Sequence, residues 1–153
     1  MTKQKVAVVT GGARGIGKAI CDEFQKQGTA VCIIDLLDND YFVGDIAREE
    51  DLRAFAAKVV NHYGKIDFLI NNACLSKGGL NSCSYDDFNY VMRVGVTAPY
   101  MLTKLFMKHF NNGASIVNIS STRYLMSQPD TESYTAAKGG ITALTHALAV
   151  TLA

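Results

Sequence analysis

A tyrosine and a lysine in the last part of the sequence are spaced for acid–base chemistry. Tyr134 and Lys138 lie four positions apart in a segment with a helical pattern, so both side chains project from one face about one turn apart. A free phenol has a pKa of about 10, and an ammonium about 4 Å away supplies about 4 kcal/mol toward lowering it at an effective dielectric of about 20. The pair predicts a tyrosine that gives and takes a proton, although this spacing also occurs on solvated helix faces.

Hydroxyl side chains precede this pair at the end of a predicted strand. Ser121 lies 13 residues before Tyr134, just beyond the apolar segment 115–119. Open α/β sheets bind their ligands at the carboxyl ends of the strands, so Ser121 is predicted to hold a substrate oxygen. Ser120 and Thr122 are rivals that the spacing does not separate from Ser121, and a serine at this point is also an ordinary turn residue.

A glycine-rich segment near the amino end is suited to binding phosphate. The residues Thr-Gly-Gly-Ala-Arg-Gly-Ile-Gly occupy positions 10–17, directly after a buried apolar segment and at the start of a helical pattern. Glycines permit a tight turn and let backbone N–H groups approach a pyrophosphate, whose charge the helix N-terminus stabilises. The segment predicts a dinucleotide site; a turn that only packs strand against helix is the alternative.

An acidic residue follows the second predicted strand. Asp35 lies 18 residues beyond Gly17, where its carboxylate can accept hydrogen bonds from an adenosine ribose. The same charge repels a 2′-phosphate, and Arg14 offsets that repulsion only in part. The sequence therefore favours NAD(H) over NADP(H), with a helix or turn cap as the alternative role of Asp35.

The elements that must position these residues alternate along the chain. Apolar segments and helical patterns follow one another, which is typical of stacked βαβ units around a parallel sheet. The predicted strands comprise residues 5–10, 30–34, 41–43, 66–70 and 115–119, and no helix fits between the second and the third. The predicted helices comprise residues 15–27, 49–62, 85–110 with an interruption near Pro99, and 133–153 without a stop signal. The predicted class is α/β, with a doubly wound parallel sheet.

Length and composition exclude several other classes of protein. The chain has 153 residues, 48% of them apolar and 19% charged, with a formal net charge of +1. These values indicate one globular domain without the basic face that binds nucleic acid. No apolar stretch approaches the roughly 20 residues that span a bilayer, and no secretory signal is visible, so we expect no membrane partner and a cytoplasmic location.

The cysteines and histidines do not suggest a metal site. Cys21, Cys32, Cys74 and Cys83 form no Cys-x-x-Cys pair and lie mostly in apolar segments, which favours reduced thiols over disulfides or zinc ligands. The three histidines lack a carboxylate or cysteine cluster at ligand spacing. The sequence therefore predicts no bound metal.

In their order and spacing, these motifs together resemble the short-chain dehydrogenase/reductase family. The resemblance rests on the glycine segment, Asp35, Asp45, the Asn-Asn-Ala triplet at 71–73, Ser121 and Tyr134-x-x-x-Lys138. It covers essentially all of residues 1–153 and implies a single NAD(P)-binding domain of the Rossmann type with strand order 3-2-1-4-5. It also implies an oxidoreductase that transfers a hydride between a nicotinamide cofactor and an alcohol or carbonyl substrate, whose identity stays open.

The resemblance further implies a role for each motif residue. Tyr134 would be the general acid/base and would also contact the cofactor. Lys138 would lower the pKa of Tyr134 and bind the nicotinamide ribose, and Ser121 would donate to the substrate oxygen. Asn71 would brace the sheet. The other implied cofactor contacts are Gly11, Arg14, Gly15, Ile16, Gly17, Asp35, Asp45, Ile46, Asn72 and Ala73.

The sequence departs from the family pattern in places. Gly95 stands where the family usually has an asparagine that holds a water between the lysine and solvent, and Cys74 stands where a glycine often follows Asn-Asn-Ala. Family members are commonly longer and add a sixth and a seventh strand. By this resemblance we expect the domain to be incomplete at its C-terminus, as in a C-terminally truncated member.

Two functional hypotheses follow from the resemblance and its departures. The first is an NAD(P)-dependent oxidoreductase acting on a small alcohol or carbonyl compound. The alternative is a non-catalytic remnant that binds dinucleotide or associates with full-length relatives. By the same resemblance, the last helix with its small residues is an oligomer-forming helix, and we expect a homo-oligomer formed through the helices 85–110 and 133–153.

Overall fold

Five parallel strands form one sheet in the computed structural model, which describes residues 4–153. They are β1 (Val6–Thr10), β2 (Ala30–Asp35), β3 (Phe42–Val43), β4 (Ile66–Asn71) and β5 (Phe110–Asn118). Their order in the sheet is β3-β2-β1-β4-β5, with every neighbouring pair parallel. This confirms the predicted α/β class and strand order, and it places a topological switch point between β1 and β4, where such sheets bind ligands.

Helices cover both faces of the sheet. They are α1 (Gly15–Lys26), α2 (Glu49–Tyr63), α3 (Tyr85–Met92), α4 (Ala98–Phe106) and α5 (Glu132–Thr151). Cys21 and its neighbours in α1 pack against Val9 and Ile70 on one face, whereas α2 and α4 bury Phe55 and Phe106 on the other. Because β1 is covered on both faces, all five of its residues are buried, as expected for a central parallel strand.

The stretch 85–110 is not the single helix that its apolar pattern predicted. A π-helical segment (Arg93–Thr97) separates α3 from α4, so the interruption precedes Pro99. Pro99 lies in the first turn of α4. The last helical residue is Phe106, and Phe110 already belongs to β5.

Strand β5 begins five residues earlier than the prediction of 115–119 and ends at Asn118. Its register against β4 shifts between Ile66 and Phe68, and Gly113 within the extra stretch has a φ of +79°. The Asn111 amide donates to the Asp67 carboxylate at 2.9 Å, which fixes this irregular part of the strand. The sequence did not predict the first part of β5, because its polar and glycine residues break the apolar pattern that indicates a strand.

The connection between β2 and β3 has no helix, as its length predicted. The Asn39 side chain holds this short turn: its amide donates to the Leu37 and Phe42 carbonyls, and its oxygen accepts from the Tyr41 and Phe42 N–H groups. The turn therefore brings β3 alongside the end of β2 within a few residues.

Within residues 4–153, no helix combines the length and the apolar character needed to cross a bilayer. The same residues contain no group of three or more His, Cys, Asp or Glu side chains arranged for a metal ion. Cys21, Cys32, Cys74 and Cys83 are all free thiols.

Candidate functional site

A cavity of about 380 Å³ opens at the carboxyl ends of β1, β2 and β4. It borders every residue that was predicted to contact a dinucleotide outside α5, namely Gly11, Arg14, Gly15, Ile16, Gly17, Asp35, Asp45, Ile46, Asn72 and Ala73. The wall also includes residues that the sequence did not single out for cofactor binding, among them Leu36, Leu37, Cys74, Leu75 and Tyr90. The fold therefore gathers motifs that are dispersed along the sequence around one crevice at the switch point.

The glycine segment forms the floor of this cavity. Gly11 and Gly15 have φ values of +67° and +57°, which an L side chain rarely adopts. A Cβ at Gly11 would lie 3.0 Å from the Ala73 Cα, so glycine there also allows the segment to approach the end of β4. Helix α1 begins at Gly15 with no side-chain cap and no acidic residue in its first turn, and its positive end faces the cavity.

Asparagine and threonine side chains hold the glycine segment against the end of β4. The Asn72 amide donates to the carbonyls of Thr10 and Gly11, both at 3.0 Å. The Thr10 hydroxyl oxygen accepts from the backbone N–H groups of Asn72 and Ala73, also at 3.0 Å. This exchange of hydrogen bonds fixes the two loops that follow the adjacent strands β1 and β4.

Asn71 is buried at the end of β4, and its amide donates to the Asn118 side chain on β5 at 2.8 Å. Asn118 in turn donates to the Thr145 hydroxyl on α5 at 2.9 Å. The chain of bonds links the last two strands to α5, as the predicted brace requires.

Asp35 joins the glycine segment to the β2–β3 connection. One carboxylate oxygen accepts from the Ala13 N–H and the other from the Leu37 N–H, each at 3.0 Å. The bond to Leu37 makes Asp35 a turn cap, which was the alternative role predicted for it, and Asp35 also lines the cavity. A carboxylate oxygen has two acceptor positions, so each oxygen retains one for a ribose hydroxyl.

Lys138 is buried, which excludes the solvated helix face that its spacing from Tyr134 also allowed. Only 5% of Lys138 is exposed, its Nζ donates to the Ile119 carbonyl at 2.6 Å, and that nitrogen lies 5.5 Å from the centre of the Tyr134 ring. Burial lowers the pKa of Lys138, and the neighbouring Cys74 thiol opposes this shift. Cys74 also lines the cavity, so it links the glycine crevice to the Tyr134 and Lys138 pair.

The structure distinguishes among the hydroxyl residues that follow β5. Ser120 faces α5, where its hydroxyl contacts the Lys138 carbonyl at 3.3 Å and the Thr142 hydroxyl at 2.7 Å. Ser121 precedes a 3₁₀ turn (Thr122–Tyr124) and accepts the Arg123 N–H at 3.2 Å, which leaves its own O–H available to donate. Thr122 is exposed, and the role of Ser121 as the substrate-facing hydroxyl stays a prediction.

Gly95 is a point of close contact between the π-helical segment and α5. A Cβ built on Gly95 would lie 2.8 Å from the Ala137 Cβ, closer than side chains pack. The asparagine that the resemblance implies at position 95 therefore does not fit beside α5 as the helix now lies.

We expect Gly95→Asn to lower the free energy of unfolding by about 2 kcal/mol, because Ala137 must move. Thermal and urea unfolding would measure the loss. Gly139→Asn is the matched control, since nothing lies within 4 Å of a Cβ at Gly139, and adding Ala137→Gly to Gly95→Asn should recover most of the loss. Equal stability of the two asparagine variants would contradict the proposed clash.

Other contacts around the site had no signal in the sequence. Tyr90 on α3 donates its hydroxyl to the Asp45 carboxylate at 3.1 Å, across 45 positions of the chain. Asp130, with a φ of +59°, accepts from the Gly79 and Asn81 N–H groups, and the buried Ser133 donates to the Gly78 carbonyl at 2.7 Å. These bonds tie the loop after β4 to the start of α5, directly before Tyr134.

Comparison with known proteins places the chain among related sequences and folds. The family model described as short chain dehydrogenase matches residues 5–153. An uncharacterized oxidoreductase of Thermotoga maritima is 37% identical, over 99% of this chain and 67% of that protein. The structure of an apo SCOR enzyme from Clostridium thermocellum has a TM-score of 0.91 and 41% identity, over 99% of this chain and 68% of that one.

A third similar protein was solved with a cofactor. The 3-ketoacyl-(acyl-carrier-protein) reductase from Brucella melitensis, complexed with NADH, has a TM-score of 0.86 and 28% identity, over 97% of this chain and 70% of that one. Similar chains have been solved with NADP as well. The chain spans about three fifths to two thirds of the length of the curated relatives that it matches.

Proposed function

The chain belongs to the short-chain dehydrogenase family, and on that premise we propose that it carries the cofactor site and the acid/base pair of an NAD(P)-dependent oxidoreductase acting on an alcohol or carbonyl compound. One observation carries the proposal: Cys74 lines the glycine cavity and neighbours the buried Lys138, whose Nζ lies 5.5 Å from the centre of the Tyr134 ring. A binding site for phosphates and a proton-transferring pair thus lie next to each other. Such an enzyme requires this combination.

The residues at the cavity fit a dinucleotide. The glycine cradle and the uncapped start of α1 suit a pyrophosphate, because they present backbone N–H groups and a positive helix end. Asp35 would accept the adenosine ribose hydroxyls, and Asp45 with Ile46 would meet the adenine. When bound, the nicotinamide supplies the hydride donor or acceptor, whereas side chains of this protein would transfer the proton.

Tyr134 would give a proton to the oxygen of a carbonyl substrate, or take one from an alcohol. The phenolate that remains after donation is stabilised by the Lys138 ammonium beside it. Ser121 would donate a second hydrogen bond to the same substrate oxygen and so orient the reacting carbon. These roles of Tyr134, Lys138 and Ser121 constitute the catalytic part of the proposal.

The burial of Lys138 favours the enzyme over the non-catalytic alternative. Taking an ammonium out of water costs several kcal/mol, and the Lys138 Nζ donates to the Ile119 carbonyl with the Cys74 thiol nearby. A domain that only associated with a relative would gain nothing from this cost. An ammonium held against a reacting phenol does gain from it, because low polarity strengthens their attraction.

We further propose that NAD(H) is preferred over NADP(H), that residues 1–153 form one cofactor domain, and that copies associate through α3, α4 and α5. Asp35 supports the cofactor preference, because a second negative charge beside it would be repelled.

The exposed small residues Ala143 and Ala147 on α5 support close approach of another helix. Sedimentation measurements would test the association, and a cytoplasmic location stays a prediction from the sequence.

Replacing Asp35 by serine tests the cofactor preference. We expect the Kd for NADH to rise roughly tenfold or more, since a charged hydrogen-bond acceptor is lost. The Kd for NADPH should fall, because the repulsion of its phosphate is removed. Fluorescence titration with both cofactors would measure the ratio.

Asp38→Ser provides the control, because Asp38 is exposed in the same connection and carries the same charge. It should leave the ratio of the two dissociation constants close to that of the unchanged chain. An equal change in both variants would show that only net charge matters and would contradict a direct contact by Asp35.

The proposed function as a whole is tested by titrating the purified protein with NADH and then following its oxidation with a panel of aldehydes and ketones. We expect saturable binding, followed by oxidation that depends on the carbonyl compound. If neither NADH nor NADPH binds, the cofactor site assigned to this cavity is wrong.

A further inference from the structure

The adenine end of the cavity contains a carboxylate whose two oxygens are both held in place. The Asp45 Oδ1 accepts the Ala47 N–H at 2.8 Å, and its Oδ2 accepts the Tyr90 hydroxyl at 3.1 Å. The Asp45 N–H in turn donates to the Asp51 carboxylate at 2.9 Å. Backbone and side chain of Asp45 are therefore fixed from three directions.

Tyr90 reaches Asp45 from a different layer of the fold. It lies on α3, and Asp45 lies just after β3, yet both border the cavity together with Ile46. The Arg93 guanidinium lies 6.0 Å from the centre of the Tyr90 ring. The contact thus joins α3 to the wall of the candidate cofactor site.

A fixed carboxylate can only accept hydrogen bonds. Each oxygen of Asp45 has one acceptor position left after its bond to Ala47 or Tyr90. Burial and the Asp45 charge raise the pKa of Tyr90, so its hydroxyl stays protonated and continues to donate. A ligand that approaches this carboxylate must therefore present an N–H or O–H donor.

We propose that Tyr90 is a positioning residue that aims the Asp45 carboxylate at the exocyclic amino group of adenine. This inference rests on the proposed function and goes beyond it, because it assigns the recognition of the base to a residue on α3. A base with a carbonyl oxygen in place of the amino group would place one hydrogen-bond acceptor against another, and the two oxygens would repel each other. The site would then discriminate between adenine and hypoxanthine, and Tyr90 would set how strongly.

The test compares NADH with reduced nicotinamide hypoxanthine dinucleotide, which differs at that one group of the base. Dissociation constants of both would be measured by fluorescence titration for the unchanged chain, for Tyr90→Phe and for Tyr85→Phe. Tyr85 is the matched control, because it lies on the same helix and is 83% exposed. Circular dichroism would establish that each variant folds.

We expect the unchanged chain and Tyr85→Phe to bind NADH roughly tenfold more tightly than the hypoxanthine analogue. Tyr90→Phe should reduce this ratio severalfold, because the Ala47 N–H then holds only one of the two carboxylate oxygens. Equal weakening of both ligands, with the ratio preserved, would overturn the inference and leave Tyr90 a packing residue. An unchanged ratio with unchanged affinities would overturn it as well.

Asp45→Asn keeps the inference testable if Tyr90→Phe does not fold. An asparagine amide presents an acceptor and a donor, so the preference for adenine should shrink toward equal binding. A full preference in Asp45→Asn would show that Asp45 does not read the base. Failure of the unchanged chain to bind either dinucleotide would instead contradict the proposed function, so the two failures are distinguishable.

Discussion

Tyr134→Phe is expected to lower the rate of hydride transfer by about 10² to 10⁴ while the Kd for NADH stays within about twofold. The substitution removes one hydroxyl and keeps the ring beside Lys138. Without that hydroxyl, the group proposed to give a proton to the substrate oxygen, or to receive one from it, is absent. The expected loss is therefore in the chemical step, because the cavity that binds the cofactor is lined by other residues.

The measurement is a single turnover of bound NADH with a carbonyl compound that the unchanged protein reduces. Tyr100→Phe is the control, since Tyr100 lies on α4 and is 46% exposed. Unchanged turnover in Tyr134→Phe would sink the acid/base assignment. A parallel loss of NADH binding would show instead that the hydroxyl supports the fold of the site.

Local physics explains why so much of the site was predicted from the sequence. The glycine segment, the strand before it and the helix after it are neighbours along the chain, and their geometry follows from glycine conformations and helix ends. Asp35 was predicted in the same way, because it ends the strand that pairs with β1. The parallel order of the strands then brought these local units to one crevice.

The parts that were not predicted depend on packing between distant elements. The hydrogen bond between Tyr90 and Asp45 joins a helix to the turn after β3, and the position of Cys74 beside Lys138 joins the end of β4 to α5. A helical spacing says which residues share a face, but it does not say whether that face is buried. Lys138 shows the difference, because its spacing from Tyr134 fits both a solvated pair and the buried one that the fold produces.

Gly17→Ala is expected to cause the largest loss of stability among the substitutions considered, about 3 kcal/mol in the free energy of unfolding. Gly17 lies in the first turns of α1, where alanine would ordinarily stabilise the helix by about 1 kcal/mol. Here, however, a Cβ would overlap the Gly11 carbonyl oxygen and would lie 2.5 Å from the Asn72 Nδ2. Both atoms belong to the hydrogen bond that joins the glycine segment to the end of β4.

Gly139→Ala is the matched control, because it makes the same change inside α5, where nothing lies within 4 Å of the new Cβ. Urea unfolding should show that Gly139→Ala is more stable than the unchanged chain by about 1 kcal/mol, whereas Gly17→Ala is less stable. The opposite signs of two identical substitutions would isolate the close approach at the switch point from helix propensity. If both variants were stabilised, the glycine segment and Asn72 would have to lie farther apart than the structure places them. The glycine segment would then not line the proposed pyrophosphate site in the way described.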